Sequence, residues 1–267
     1  MKVGYLGPKG TFSYEACLEY AKDESIMVEF KTIQDTILAL KNNCVSKVIV
    51  PIENSLQGCV TDAIDTLIEY EDIDVVGELL LEINQNLLVK NETNFDDIEI
   101  IYSHPQAIAQ CRNYLNDNFK NAKIIPVEST AYAAKLVSES TKNEACICNK
   151  SCMKEYNLKM IFEKIQDNAF NKTKFWVLSK VKESNVKPSK MSMLFSVKDK
   201  PGALYNVLKI FNEYNLNLSK IESRPAKTVL GEYIFWIDVS LEDLSDEDKA
   251  IEKIKNDGIY VRVLGKY

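Results

Sequence analysis

Strand-like and helix-like segments alternate from residue 2 to about residue 182, and this alternation limits the possible folds more than any other feature of the sequence. Short apolar runs of strand length are followed by amphipathic stretches of helical length, with polar turns between them. This order is typical of an α/β protein. The predicted strands lie near residues 2–6, 26–30, 47–51, 98–102, 123–127 and 144–148.

A long apolar run from residue 74 to residue 89 interrupts the alternation. A later segment, residues 161–181, is long enough to return across the same distance. We interpret them as an outward and a return crossing between two lobes. In a domain spanning residues 1–182, lobe one is then predicted at about residues 1–77 and 162–182, and lobe two at about residues 78–161.

The last part of the chain, residues 191–267, follows a different pattern. A polar stretch at residues 183–190, which contains a proline, separates it from the alternating region. The predicted elements are strand 191–197, helix 202–214, strands 216–223 and 230–239, helix 242–256 and strand 259–264. This βαββαβ order predicts a ferredoxin-like sandwich with one open sheet face.

Composition and charge exclude several classes of protein. The chain has 267 residues, of which 46% are hydrophobic, and a net charge of −6. No apolar stretch approaches the roughly 18 residues that a membrane-spanning helix needs. The negative charge and the absence of a basic patch argue against nucleic-acid binding. The first residues already form a predicted strand and turn, so we expect no signal peptide and a cytoplasmic location.

The seven cysteines are predicted to be reduced, because an odd number in a cytosolic chain does not form a disulfide framework. Cys146, Cys148 and Cys152 do not have a standard zinc spacing, and the single histidine, His104, lies about forty residues away in sequence. We therefore expect these cysteines to act as small apolar side chains and expect no metal site.

Four polar turns follow predicted strands and precede predicted helices. They lie at residues 7–13, 51–58, 103–106 and 129–130. Open α/β sheets bind ligands at the carboxyl ends of their strands, and the free N–H groups of a helix start attract anions. Thr173, flanked by two lysines before another apolar run, completes the set. Any one of these turns is explained by helix capping alone, but together they predict a site for a small anion.

The segments that contain these turns give the chain its resemblance to a known family. They read GPKGTFSYEA (7–16), PIENSLQGCV (51–60), SHPQAIAQCR (103–112), STAYAA (129–134) and IQDNAFNKTKF (165–175). In order and spacing the chain resembles prephenate dehydratases. The resemblance implies a two-lobe fold like that of type II periplasmic binding proteins, with the active site in the cleft. It departs at Lys174, where the family usually has an arginine, and lysine lacks the bidentate fork of arginine.

The implied reaction converts prephenate to phenylpyruvate with loss of CO2 and the ring hydroxyl, in phenylalanine biosynthesis, with no cofactor. Catalytic roles are implied for Thr173, Glu53, Asn54, Ser103 and Gln110, and substrate binding for Thr11, Ser13, Ser55, Thr130, Lys174 and Phe175. We expect Thr173 to donate a hydrogen bond to the leaving oxygen, and either Glu53 or a water to supply the proton.

Electrostatics separates the two carboxylates of the substrate. A cation or strong donors belong at the pyruvyl carboxylate, which keeps its charge, and we assign this place to Lys174 or to backbone donors near Thr11 and Ser13. The ring carboxylate loses its charge as CO2 departs, so tight binding there would slow the reaction. It should meet weaker donors such as Asn54, Ser55, Ser103 or Gln110. For His104, a role in holding its turn is favoured over proton transfer.

The predicted C-terminal sandwich resembles a phenylalanine-responsive ACT domain in two segments, residues 199–204 and 222–225. The resemblance implies a phenylalanine site formed by Gly202, Ala203, Leu204, Asn215, Leu216, Glu222, Ser223, Arg224 and Pro225. It also implies a homodimer or homotetramer that is inhibited by phenylalanine. We expect a monofunctional enzyme. Two other functions stay open, namely an arogenate dehydratase and a receptor that binds a small anion without catalysis.

Overall fold

The computed structural model describes residues 2–91, 93–181, 187–225, 232–241 and 246–267. The first half of the predicted linker, residues 183–186, lies outside the described residues, as do the starts of the predicted strand 230–239 and helix 242–256. The described residues form two compact units. The first unit comes from the ranges 2–71 and 78–178, and the second from residues 72–77 together with the range 179–267.

The first unit contains two sheets, and the first of them has the order β2-β1-β3-β11-β5, with the short β4 paired to β3. Its strands are β1 (Val3–Leu6), β2 (Met27–Phe30), β3 (Lys47–Asn54), β4 (Gly58–Cys59), β5 (Asp74–Glu82) and β11 (Lys172–Ser179). Strand β1 runs parallel to both β2 and β3. The associated helices are α1 (Phe12–Ala21), α2 (Ile33–Lys41) and α3 (Thr61–Glu69). Parallel strands buried on both faces read as continuous apolar runs, and Val48, Ile49 and Val50 are fully buried.

The second sheet has the order β10-β6-β9-β7-β8. Its strands are β6 (Asn86–Val89), β7 (Ile100–Ser103), β8 (Lys123–Pro126), β9 (Glu144–Cys148) and β10 (Lys159–Phe162). The associated helices are α4 (Pro105–Gln110), α5 (Arg112–Asn118), α6 (Thr130–Glu139) and α7 (Ser151–Tyr156). Strand β7 is parallel to β8 and β9, whereas β6 is antiparallel to β9 and β10.

The segments 74–89 and 161–181, predicted as crossings, connect these sheets. The run 74–89 is divided into β5 in the first sheet and β6 in the second, and Ile83, Asn84 and Gln85 lie between the two strands. The return segment begins at the end of β10 in the second sheet and contains β11 of the first. Both segments therefore pass between the two sheets, which is the crossing that the sequence predicted.

The second unit has the predicted βαββαβ order, and its sheet has the strand order β13-β14-β12-β15 with antiparallel pairing throughout. Its elements are β12 (Lys190–Lys198), α8 (Ala203–Glu213), β13 (Asn217–Pro225), β14 (Glu232–Ser240), α9 (Glu247–Asn256) and β15 (Tyr260–Lys266). Apolar side chains of both helices and all four strands form one core, which includes Phe195, Val207, Phe211, Ile237 and Ile254.

Residues 72–77 differ from the prediction, which assigned them to the first lobe. They belong to the second unit, where Ile73 and Val75 are buried. Arg262 donates from Nη2 to the carbonyl oxygen of Ile73 at 3.1 Å, and Gly265 lies directly against the Val75 backbone. The sequence did not indicate this grouping, because an apolar strand gives no sign of which unit buries it.

Among the described residues, no helix is long and apolar enough to cross a membrane.

Candidate active site

The first unit contains a cavity of about 380 Å³. Its lining comes from the ends of β1 and β3, the β3–β4 turn, the β5–β6 link, the starts of four helices, and β11. The lining residues are Leu6, Gly7, Thr11, Phe12, Ser13, Pro51, Asn54, Gln57, Val60, Ile83, Gln85, His104, Gln106, Ala107, Glu128, Ser129, Thr130, Thr173 and Phe175. Among these described lining residues there is no lysine or arginine.

Four helices begin at this cavity, and α1, α4 and α6 each have a side-chain cap, whereas α3 has none. Thr11 Oγ1 accepts from Tyr14 N at 3.2 Å at the start of α1, and Ser129 Oγ accepts from Tyr132 N at 3.0 Å at the start of α6. His104 Nδ1 accepts from Gln106 N at 3.3 Å at the start of α4. The caps satisfy one N–H each, which leaves other first-turn N–H groups available to an anion. In the neutral ring of His104 the proton is then on Nε2.

Asn54 and Thr173 form the polar centre of the cavity wall. Asn54 Oδ1 accepts from the backbone N–H groups of Leu56 at 3.0 Å and Gln57 at 3.2 Å, which fixes the orientation of the amide. Its Nδ2 therefore donates to Thr173 Oγ1 at 2.9 Å and to Asn171 Oδ1 at 2.8 Å. The Nδ2 group of Asn54 can only donate, so Thr173 Oγ1 accepts this hydrogen bond. The proton of the Thr173 hydroxyl therefore remains available to a ligand.

Gln85 lies in the link between the two sheets and is only 3% exposed. Its backbone N–H donates to Gln166 Oε1 at 2.9 Å, and its Nε2 donates to Gln110 Oε1 at 3.1 Å. Its own Oε1 is buried and has no hydrogen-bond partner among the described residues. A residue of the cavity lining therefore carries a buried carbonyl oxygen whose hydrogen-bonding capacity is unused.

Six of the residues predicted to act in the site line the cavity, namely Thr11, Ser13, Asn54, Thr130, Thr173 and Phe175. The other five, Glu53, Ser55, Ser103, Gln110 and Lys174, are not among the lining residues.

Each of these five residues has a partner in the protein. Lys174 forms an ion pair with Glu53, with 3.1 Å between Nζ and Oε2. Ser103 is fully buried and donates to the carbonyl oxygen of Ile147 at 2.6 Å. Ser55 donates to the carbonyl oxygen of Phe170, and Gln110 reaches the cavity only through Gln85.

Gln85, Asn171 and Glu128 were not predicted as members of the site or of its supporting network, and Gln57 and Gln106 were included only as parts of the polar turns 51–58 and 103–106. For Gln85 a signal was present, because polar residues 84–86 interrupt an otherwise apolar run, and buried polar side chains require partners. For Asn171 the signal was its position two residues before Thr173. The others are ordinary polar residues at helix starts or turns, and only the fold brings them to the cavity.

The cysteines are mostly buried, as expected for small apolar side chains. Burial raises the pKa of the Cys17 and Cys111 thiols to about 12, so both are protonated at neutral pH. Cys146 and Cys148 lie with their sulfurs 3.7 Å apart. Across the described residues, no group of three or more His, Cys, Asp or Glu side chains is arranged to hold a metal ion.

The residues predicted to bind phenylalanine lie in three places of the second unit, namely the start of α8, the turn after α8 and the end of β13. Gly202, with φ of +80°, precedes α8, and Asn215, with φ of +53°, follows it, so both positions require the left-handed conformation. The remaining group, residues 222–225, is the end of β13, a strand at the edge of its sheet. A cavity of about 540 Å³ lies at the start of α8, and of the nine predicted residues only Ala203 lines it.

Comparisons with known proteins identify both units. A prephenate dehydratase family model matches residues 3–183, and an ACT domain model matches residues 192–258. The chain is 41% identical to the prephenate dehydratase of Methanocaldococcus jannaschii, over 99% of this chain and 97% of the relative.

Solved structures agree with this assignment. A prephenate dehydratase from Arthrobacter aurescens, solved in complex with L-Phe, is 28% identical and superposes with a TM-score of 0.89, covering 100% of this chain and 90% of that one. The structure of GqqA, described as a quorum quenching acylase, superposes with a TM-score of 0.88 at 23% identity over 99% and 97% of the two chains, and it shows the fold alone. The family and the ACT domain predicted from the sequence motifs are thus confirmed, and the chain belongs to the prephenate dehydratase family of hydro-lyases, with an ACT domain after the catalytic region.

Proposed function

We propose that the cavity of the first unit binds prephenate and converts it to phenylpyruvate, CO2 and water. The single observation that carries this assignment is the hydrogen bond from Asn54 Nδ2 to Thr173 Oγ1. It makes the threonine hydroxyl a donor toward the cavity, which is the group that a departing ring hydroxyl requires.

The reaction gains an aromatic ring, so the protein has only to orient the ring and assist the hydroxyl. The bond between the ring carbon and the carboxylate breaks, its electron pair enters the ring, and the bond between the opposite ring carbon and the hydroxyl breaks. The departing oxygen takes one proton to leave as water. Thr173 stabilises the charge that develops on this oxygen by donating a hydrogen bond, since a preorganised donor acts most strongly where charge develops.

A water is the better candidate than Glu53 for the source of that proton. Glu53 is paired with Lys174 at 3.1 Å, and neither residue is part of the cavity lining. An ionised carboxylate held by an ammonium is a weak proton source, because the nearby positive charge favours the ionised form. A water in the cavity would then supply the proton to the departing oxygen, and Thr173 would donate a hydrogen bond to that oxygen.

The pyruvyl carboxylate of the substrate is assigned to a helix start in place of a cation. No lysine or arginine is among the described lining residues, and α1 and α6 both begin there. The N–H groups of a first helical turn bind anions without a full positive charge. We assign the pyruvyl carboxylate to the start of α1. The ring carboxylate then meets weaker donors, which avoids a ground-state ion pair that would slow decarboxylation.

Comparing kcat/KM for prephenate and arogenate tests this function directly. We expect turnover of prephenate with release of one CO2 per phenylpyruvate. Preferred turnover of arogenate would instead assign the aminated substrate, and binding without turnover of either compound would favour the receptor function.

We further propose that phenylalanine binds the second unit and inhibits the first. The support is the ACT domain match and the Arthrobacter aurescens relative that was solved with L-Phe. Strand β13 lies at the edge of its sheet, and edge strands commonly pair with a second chain. We therefore expect a homodimer or homotetramer whose two states differ in affinity for phenylalanine, because only differential affinity can transmit inhibition.

Phenylalanine titrations of turnover and of the molecular mass in solution test this regulation. We expect sigmoidal inhibition by an oligomer. Ala203→Leu should raise the phenylalanine concentration needed for inhibition without changing uninhibited turnover. Tyr205→Ala, at an exposed neighbour outside the predicted site, is the control. Purely competitive inhibition that Ala203→Leu does not change would place the effector in the catalytic cavity.

A further inference from the structure

We infer that Gln85 accepts a hydrogen bond from the ring hydroxyl of the substrate and thereby selects and orients the group that leaves. This inference rests on the proposed function. It assigns a substrate contact to a residue of the link between the two sheets, which none of the sequence motifs includes.

Gln85 is held in place by several hydrogen bonds. Its backbone N–H donates to Gln166 Oε1 at 2.9 Å, its backbone oxygen accepts from Ile165 N at 2.8 Å, and its Nε2 donates to Gln110 Oε1 at 3.1 Å. These bonds hold the backbone and one N–H of the side-chain amide. Oε1 is buried and has no hydrogen-bond partner among the described residues.

Gln85 is 3% exposed and lines the same cavity as Thr173. A buried carbonyl oxygen without a donor is unfavourable, so its presence in a cavity indicates that a bound molecule supplies the donor.

Prephenate has a single group that can donate a hydrogen bond to a carbonyl oxygen. At neutral pH prephenate carries two carboxylates and one ketone, which only accept hydrogen bonds. Its ring hydroxyl is the one group that donates. An acceptor such as Gln85 Oε1 therefore matches only the hydroxyl, and Thr173 donates to the oxygen of the same hydroxyl. The leaving group is then held between one acceptor and one donor.

The product gives this arrangement a second consequence. Phenylpyruvate in its keto form has lost the hydroxyl and carries no hydrogen-bond donor. Bound product would leave Gln85 Oε1 unpaired again, so the residue favours substrate over product. Sites that hydrogen-bond a substrate group discriminate strongly against analogues that lack it.

The test uses two unreactive analogues in which the ring is saturated, one with the ring hydroxyl and one without it. Both keep the two carboxylates and the ketone. We measure their competitive inhibition constants with the full-length protein. The wild-type protein should bind the hydroxylated analogue roughly tenfold more tightly, because one hydrogen bond between neutral groups changes affinity by about this factor.

Gln85→Leu should remove this preference, and Gln85→Met should do the same with a side chain of similar length. Gln57→Leu, the same change at another glutamine that lines the cavity, should keep it. A preference that survives in both Gln85 variants would overturn the inference, as would its absence in the wild-type protein. Wild-type turnover of prephenate is measured alongside. If it is absent, the proposed function fails, whereas turnover without a hydroxyl preference contradicts the role of Gln85 alone.

Discussion

Asn54 and Thr173 are 119 positions apart in sequence, yet Asn54 Nδ2 donates a 2.9 Å hydrogen bond to Thr173 Oγ1. Strand β3 ends at Asn54, and β11 begins next to Thr173, so the adjacent pairing of these two strands brings the residues together. Because Thr173 Oγ1 accepts this hydrogen bond, its own proton is not used on Asn54, and the bond also ties the return crossing to the turn after β3.

Thr173→Ala should lower kcat by roughly 10²–10³, the loss expected when a preorganised donor to the transition state is removed. Its cost in folding stability should be about 1 kcal/mol, because one hydrogen bond is lost. Steady-state kinetics and urea denaturation measure the two effects. Thr173→Ser, which keeps the hydroxyl, should retain most of the activity, and a Thr173→Ala variant with normal kcat would remove this residue from the mechanism.

Asn54→Asp tests the direction of the hydroxyl without emptying the site. Aspartate keeps an acceptor for Leu56 N and Gln57 N, but in place of Nδ2 it presents a second acceptor to Thr173. The threonine proton should then turn toward the introduced carboxylate and away from the substrate. We expect kcat to fall nearly as far as in Thr173→Ala, and the double variant to be little worse than either single one. Additive losses would show that the two residues act separately.

Phe12→Pro tests the assignment of the pyruvyl carboxylate to the start of α1. Phe12 is the first residue of α1, where proline is tolerated and removes only a free N–H, and Thr11 before it has the extended backbone that a following proline requires. Phe12→Ala removes the ring and keeps the N–H, so it is the matched control. Steady-state kinetics should show a clearly larger rise in KM for prephenate in the proline variant than in the alanine variant. Equal KM values in the two variants would remove this N–H from carboxylate binding.

Lys174→Met tests whether Lys174 binds the pyruvyl carboxylate, which is the other assignment that the sequence left open. Because Lys174 is paired with Glu53 and is not part of the cavity lining, we expect its loss to change KM by less than about fivefold, the range of a partly exposed ion pair. A much larger rise in KM with unchanged kcat would return the pyruvyl carboxylate to Lys174.

Glu15 should make stability depend on pH. Burial raises the pKa of its carboxyl above the usual value, although hydrogen bonds from Ser151 and the charge of Lys150 oppose this. The folded state then holds the proton more tightly than the unfolded state, so the contribution of Glu15 to stability is lost as pH rises through the folded pKa. Glu15→Gln keeps an oxygen that can accept from Ser151 N.

The stability of Glu15→Gln relative to wild type should therefore increase from acidic to neutral pH and then level off. Urea denaturation of both proteins over this range measures the difference. A difference that stays constant or reverses with pH would contradict the raised pKa.

Much of the fold could be predicted from local pattern. Strands such as β3 and β9 are continuous apolar runs, and helices such as α1 and α6 begin at Thr11 and Ser129, which are good capping residues. The βαββαβ order of the second unit also follows from periodicity and turn residues. These features depend on interactions between neighbours in sequence, so they can be predicted from the amino-acid sequence without the tertiary structure.

The site could be predicted only in part. Motif resemblance identified Thr173, Asn54 and the helix starts near Thr11 and Thr130, all of which line the cavity. It did not distinguish a hydroxyl that faces the cavity from Ser103, whose hydroxyl donates to a neighbouring backbone carbonyl. Nor did it show that Lys174 is paired with Glu53, because the direction of a side chain depends on its strand neighbours.

The sequence by itself therefore determined the family, the order of elements and the chemical types of group available for catalysis. Tertiary structure decided which of those groups face the same space. Gln85 is the clearest case, since its free carbonyl oxygen results from bonds to Gln110 and Gln166 that lie 25 and 81 positions away. Residues 72–77 are another, since they join the second unit through contacts with β15. Both outcomes come from contacts between segments distant in sequence, which are made only once the chain has folded.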